Sequence, residues 1–449
     1  MTRKQFGGEK NFTQGNIWRQ MFGFLIPIML GSFVQQLYSI VDSIVVGQYL
    51  GVTALAAVGG STTTITTLLV NFFAGLSAGA SVVIAQDFGA GDGRRQSGSV
   101  QSALMLGLMG GVLLMLVGEL CATPVLRWMQ TPEDVFPLAN RYLRIYMLGM
   151  LPIALYNMGA AALNAVGDSK SAFLFLAVAC AANIVLDLLF VGVFHWGIGG
   201  AAGATCLSQL LSAALIVLTL ARRKILRLRQ WDVQWSTLRR IVAIGMPGGL
   251  QSMLYSVANM VVQWAINQLP LSSVAACSIY ERIESIFWTL MMALGVAVTT
   301  FAGQNYGAGL LDRMRKSVRV AMTIGAAMAV IIGAVCLLFA RRISLVFTDD
   351  PATVADTMTL IYLLMPFCIT YVATEVLGGA IKGCGEALRP MVITLLCTCG
   401  VRIAWVVCVS LCPATGIRLL LACYPVSWSV SSLVFLVYYR RGRWLKLQS

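Results

Sequence analysis

Charge is scarce in this sequence. Only 11% of its 449 residues are Asp, Glu, Lys or Arg, against 58% hydrophobic, whereas an ordinary soluble domain is about a quarter charged. A hydrocarbon core about 30 Å thick takes roughly 20 apolar residues per helix, so the chain has room for about a dozen spans and none for a long soluble domain. Histidine is nearly missing, with His195 the single one, and no Cys-x-x-Cys pair occurs. A structural metal centre, a haem and a metalloenzyme are therefore not expected. No Gly-x-x-x-x-Gly-Lys-Ser/Thr loop is present either, so ATP is excluded as a direct energy source within the chain. The twelve cysteines lie mostly in apolar stretches, where a thiol packs as a small apolar group rather than in a disulfide framework. The polar stretch Met1 to Gln14 runs into a long apolar run without a small-residue cleavage site, so the first span is expected to remain as an anchor.

What is present is an all-α, polytopic pattern. Apolar runs predict twelve spans near 17–49, 53–86, 97–118, 137–160, 169–191, 197–221, 241–268, 271–303, 317–340, 354–381, 389–411 and 416–439. With both termini on one side, 24 of the 32 lysines and arginines fall on that side and 6 on the other. Arg282 and Arg402 lie inside spans. This bias follows the positive-inside rule and assigns both termini to the cytoplasm. The net charge of +14 is thus read as a topology signal, not as a nucleic-acid footprint.

The chain also repeats itself. Gln86-Asp87-Phe88-Gly89-Ala90-Gly91 returns as Gln304-Asn305-Tyr306-Gly307-Ala308-Gly309, an offset of 218; Gly167-Asp168 returns as Gly385-Glu386 at the same offset, Thr131 as Thr348 at 217 and Pro27 as Pro247 at 220. The landmarks divide the chain into an N-lobe (1–221), a basic cytoplasmic linker (222–236) and a C-lobe (237–449). Because six spans per half is an even number, the two halves are parallel repeats about an axis along the membrane normal. Such a duplication is the mark of a transporter with a cavity between two bundles.

The loop from Gly89 to Arg95 departs from that of the major facilitator superfamily. The basic pair follows Asp92 too closely, and Leu310 stands where the repeat would match Asp92. The shared Gln-x-x-Gly-Ala-Gly at the end of the second helix of each half instead resembles the MATE family of multidrug and toxic compound extrusion transporters. Pro27 followed by Gln35-Gln36-Leu37-Tyr38-Ser39-Ile40-Val41-Asp42, and Ala161 to Asp168 at the end of the fourth span, are similar to the same family. The resemblance covers essentially the whole chain. It implies a secondary antiporter of the plasma membrane that exports amphipathic, mostly cationic organic compounds in exchange for Na⁺ or H⁺ by alternating access. No cofactor beyond that ion, no nucleic acid and no ATP are expected. Organic substrates and membrane lipid are the expected partners, and the protein is expected as a monomer. The alternative is a lipid or glycolipid flippase of the wider superfamily, although such proteins typically carry additional helices or several basic cavity residues.

An ionisable residue inside a span costs at least about 2.5–3.5 kcal/mol on insertion scales, so each needs a partner or a task. In the first half these are Asp42 and Asp187, and no lysine or arginine sits at comparable depth. Gln35, Tyr38 and Asp42 share one helical face; Asn183 and Asp187 share another. Acids without a countercharge suit a cation, or a proton held between them. At offset 218, Asn183 corresponds to Val401 and Asp187 to Trp405, so only the N-terminal half keeps the acidic site. That asymmetry resembles the DinF-like branch of MATE. The resemblance implies an ion site at Asp42, Asn183, Asp187 and Thr205, with Gln35, Tyr142 and Asn157 in the surrounding hydrogen-bond network. Oxygen ligands suit Na⁺ and suit a proton equally. Pro27 breaks the backbone ladder of the first span and is a candidate hinge beside Asp42.

The second half carries Glu281, Arg282 and Glu284 in the eighth span, Glu375 in the tenth and Arg402 in the eleventh. Their opposite signs predict an ion-pair cluster. The sharper alternative is that Glu284 or Glu375 faces the cavity and draws a cationic substrate. The seventh span, with Asn259, Gln263 and Asn267, has no acid, which departs from the vibrio NorM-type branch.

Overall fold

The computed structural model describes residues 10–227, 232–410, 416–442 and 444–445. Arg3, Lys4, Arg229, Arg443 and Lys446 of the charge count, and part of the 222–236 linker, lie outside the described residues. In chain order the helices are α1 (Ile17–Gly59), α2 (Ser61–Gly89), α3 (Gly93–Trp128), α4 (Phe136–Leu148), α5 (Met150–Ala165), α6 (Ser169–Asp187), α7 (Ile198–Arg222), α8 (Trp235–Ile266), α9 (Leu271–Gly307) and α10 (Leu311–Leu338). They continue with α11 (Ala340–Leu345), α12 (Pro351–Leu364), α13 (Cys368–Gly383), α14 (Leu388–Thr394), α15 (Val401–Ser410), α16 (Ile417–Leu421) and α17 (Cys423–Arg440). Eleven spans are long and apolar enough to cross a membrane, and a twelfth forms from α4 and α5, bent by 46°. Pro152 in the first turn of α5 lacks the N–H that would tie it to Leu148, which accounts for a bend at Gly149. Among the described residues the protein is thus all-α, with twelve spans.

Several boundaries follow from local chemistry. The carboxylate of Asp92 accepts from the amides of Arg94 and Arg95, both at 3.0 Å, and caps α3; these bonds hold its carboxyl below the usual range. Asp168 caps α6 through the Ser171 amide (3.1 Å), and Asp350 caps α12 through that of Thr353 (2.8 Å), with Pro351 at the first helical position. The repeated Gly-Ala-Gly proves to be a helix stop. Gly91 (φ 74°) and Gly309 (φ 72°) take the left-handed conformation after α2 and α9, and their amides return to the carbonyls of Phe88 (3.1 Å) and Tyr306 (3.0 Å). Between the first two spans the break falls at Gly51 (φ 82°, ψ −179°), with helix resuming to Gly59. The sequence expectation started the second span at 53, because residues 52–59 are as apolar as their surroundings.

Two compact units result: Met1–Gln14 with Phe22–Gly249, and Gly15–Met21 with Leu250–Ser449. In the first unit α2 packs on α3, and both pack on α5, which packs on α7; in the second α9 packs on α10, and both pack on α13, which packs on α17. The same pattern of helix packing is thus made twice. Leu126, Met147, Met150 and Ala202 are fully buried in the first unit, and Phe287, Phe301, Trp428 and Phe435 in the second. Where α8 crosses α2, glycines face each other. A Cβ on Gly75 would lie 2.2 Å from the Gly249 nitrogen, and one on Gly79 would lie 2.5 Å from that of Gly245. The two backbones are therefore in contact, as small-residue crossings in membranes allow.

Candidate functional site

Asp42 on α1, Asn183 and Asp187 on α6 and Thr205 on α7 are all buried. The carboxyl groups of Asp42 and Asp187 lie within hydrogen-bonding reach of each other. Two carboxylates make such a contact only with a proton or a cation between them. With its amide oriented to satisfy both neighbours, Asn183 donates to Asp187 Oδ2 at 2.9 Å and accepts from the Thr205 amide at 3.2 Å. The Thr205 hydroxyl shares a hydrogen bond with the Tyr38 hydroxyl at 3.3 Å. No lysine or arginine pairs with either acid among the described residues. Oδ1 of each aspartate has no hydrogen-bond partner, so carboxylate oxygens remain open for an ion. Asp187 is the last α-helical residue before a π-turn, Leu188–Val193. Such an inserted residue re-aims side chains and recurs at functional sites; nothing in the apolar run Leu188 to Val193 signals it.

The proposed network residues divide. Tyr142 is buried on α4, stacked on Tyr146 with ring centroids 6.0 Å apart. Asn157 instead donates to the Ile153 carbonyl of its own helix at 2.8 Å, and Gln35 is exposed. Neither makes a direct hydrogen bond to Asp42 or Asp187 among the described residues. At Pro27 the missing N–H frees the Gly23 carbonyl one turn back, and the Lys10 ammonium donates to it at 3.1 Å. The next carbonyl, of Phe24, accepts from the Ser169 hydroxyl at 2.9 Å. Phe12 is fully buried edge-to-face on Phe24, with ring centroids 5.2 Å apart. The gap that Pro27 leaves in the backbone ladder of α1 is thus filled from outside the helix.

The second unit corrects an expectation. Glu281, Arg282, Glu284, Glu375 and Arg402 form no ion-pair cluster among the described residues. Arg282 is exposed. Arg402 is 1% exposed; its Nη1 donates to Asn259 Oδ1 at 3.0 Å, and its guanidinium lies 4.3 Å from the Tyr424 ring and 5.4 Å from that of Tyr255. Aromatic faces and an amide, rather than carboxylates, accommodate the charge. Glu284 lines a cavity of about 20 Å³ with Tyr280, Glu281 and Tyr424, room for about one water. The Tyr371 hydroxyl donates to Glu375 at 3.3 Å. Lys382, counted among the basic residues of the cytoplasmic face, is half-buried and donates to Gln251 Oε1 at 3.1 Å. Trp405, in the place of Asp187, donates its indole N–H to the Leu419 carbonyl at 2.9 Å.

Comparison with known proteins follows the same lines. The chain matches the family described as MatE over residues 27–189 and 247–407. It is 30% identical over 440 residues to the "Probable multidrug resistance protein YpnP" of Bacillus subtilis, covering 97% of each chain. To the "FAD transporter" of Shewanella oneidensis it is 25% identical, covering 78% of each. Among solved structures it is similar to the one described as "Crystal structure of MATE in the bent conformation", with a TM-score of 0.91, 24% identity and 98% of each chain covered. At that identity the likeness speaks for the fold.

Proposed function

The chain belongs to the MatE family, and from that premise we propose that this multi-pass membrane transporter is an antiporter of the DinF-like branch. It exports amphipathic, mostly cationic organic compounds in exchange for inward Na⁺ or H⁺ by alternating access. The supporting observation is the buried pair Asp42–Asp187, with Asn183 and Thr205 beside it and no basic partner. An ion entering that group neutralises carboxylates whose mutual repulsion is otherwise unrelieved, and its loss restores the repulsion. Two states of different charge are what an ion-coupled exchanger needs. Carboxylate, amide and hydroxyl oxygens accept Na⁺ or a proton. The acids stand in one unit only, with Trp405 tied to a carbonyl at the matching position of the other, which favours the DinF-like assignment. On this reading the protein works as a monomer in the plasma membrane with both termini in the cytoplasm, needing neither ATP nor another cofactor. The flippase alternative has less support, since Arg282 is exposed and Arg402 is engaged by Asn259 and two rings.

The test is dye efflux from proteoliposomes with the Na⁺ and H⁺ gradients imposed separately. One gradient should drive export and the other should not; export under neither would overturn the proposal.

A further inference from the structure

α10 opens with Arg313, Lys316 and Arg319, spaced so that all three share one helix face. With Gly15, Asn16 and Trp18 at the start of α1 they line a groove of about 380 Å³. Arg313 Nη2 donates to Gln20 Oε1 at 3.2 Å, while Lys316 and Arg319 are exposed. No carboxylate lines the groove among the described residues. Asp312, the acid of that turn, is matched by Arg315 at 3.7 Å.

The internal repeat shows what this face holds elsewhere. At offset 218, Arg313, Lys316 and Arg319 correspond to Arg95, Gly98 and Gln101 of α3. There the chain covers its own helix. Gln101 Nε2 donates to the Arg227 carbonyl at 2.9 Å, and the Asp232 amide donates to Gln101 Oε1 at 2.6 Å. The Asp232 backbone lies so close over Gly98 that a Cβ there would stand 3.2 Å from its carbonyl oxygen, and its carboxylate faces Arg94 at 3.9 Å. Counted back by the same offset, Asp232 corresponds to the neutral Gln14 ahead of the first span, and along the helix a glycine and a glutamine have become a lysine and an arginine. Two cations have been added on this face, and the acid of the turn is Asp312, in the place of Arg94.

We propose that this groove binds the phosphodiester headgroup of an anionic phospholipid. No charged residue follows Arg319 up to Leu338, so the three cations stand where α10 leaves the hydrocarbon. Trp18, 43% exposed, is the amphipathic ring that favours this level of a bilayer. A phosphate there accepts charge-assisted hydrogen bonds from guanidinium and ammonium groups, with the acyl chains lying along the apolar remainder of the helices. Basic pockets between membrane helices hold anionic headgroups in this way.

The test titrates purified full-length protein with dioleoyl phosphatidylglycerol, dioleoyl phosphatidylcholine or inorganic phosphate, counting bound species by native mass spectrometry. The parent should prefer phosphatidylglycerol by about tenfold or more. Arg313→Gln/Lys316→Gln/Arg319→Gln should lose that preference, while Arg341→Gln/Arg342→Gln, a basic pair beyond the far end of α10, should keep it. Retention in the triple variant, or equal loss in the control, overturns the site. Displacement of the lipid by millimolar inorganic phosphate overturns a lipid as the occupant. Should the triple variant not purify as a monodisperse protein, exposed Lys316→Gln alone should lower the preference by about threefold, and an unchanged value overturns the proposal.

Discussion

Asp42 and Asp187 lie within hydrogen-bonding reach of each other and pair with no basic residue among the described residues, so the charge at this point changes when an ion enters or leaves. An amide at position 42 cannot take part in that cycle. Asp42→Asn should abolish gradient-driven efflux while the protein still reaches the membrane at parental level, which efflux assays normalised to purified protein will check. Asp187→Asn should be similarly severe. Trp405→Phe, which removes only the bond to Leu419, should leave ion dependence intact; comparable losses in the two would refute the one-sided site. Arg402→Gln should keep export of a cationic dye within a few-fold, because a lipophilic cation gains nothing from a guanidinium. At this scale the sequence was informative where a residue is costly. A membrane-embedded acid stands out in any apolar run, and spacing placed Asn183 one turn from Asp187. Spacing does not separate Gln35 from Tyr38, which share a stripe although one is exposed and the other bonded to Thr205. Nor could it supply the surroundings of Arg402, since its partner Asn259 is 143 residues away.

Helix ends were more legible than helix interiors. Gly91 and Gly309 repeat because only a residue free to take positive φ closes the turn without strain, so the offset of 218 records backbone geometry as much as common origin. The π-turn after Asp187 carries no such mark, being a matter of hydrogen-bond register within an apolar run, whereas the bend at Gly149 has its mark in Pro152. Asp92→Ala should cost about 1 kcal/mol through loss of the α3 cap, read as a lower melting temperature at neutral pH. The sign follows from the lowered carboxyl: stability is present above its ordinary range and is lost as pH falls through the depressed value, so parent and variant should converge in acid. The glycine crossing of α2 and α8 makes a steric demand. Gly79→Leu places a side chain where the Gly245 nitrogen and Ile241 carbonyl stand, and overpacking of this kind costs about 1–3 kcal/mol; a thermal shift assay in detergent should show it, whereas Gly91→Ala, whose surroundings are open, should lose about 1–2 kcal/mol to its positive φ alone.

At the scale of the molecule, the twelve spans and their duplication were readable because the bilayer demands apolar length and the loops carry charge bias. The pairing of α2 with α5 and of α9 with α13 needs side-chain fit that no periodicity encodes. The assigned orientation predicts that single cysteines at Thr131 and Thr348 react with an impermeant maleimide from outside, and one at Asp92 only after permeabilisation. The gap at Pro27 also has a history in time. The one carbonyl it strips of a donor, that of Gly23, is met by Lys10, only 13 residues upstream. At about 5–20 residues per second of synthesis, roughly 1–3 s separate the two. The replacement donor is therefore already made when the first helix meets lipid, which could not supply one. Ser169, 145 residues beyond Phe24, adds its bond only when α6 arrives, so a nascent chain arrested before Ser169 should hold its first span against alkaline extraction as firmly as one arrested after it.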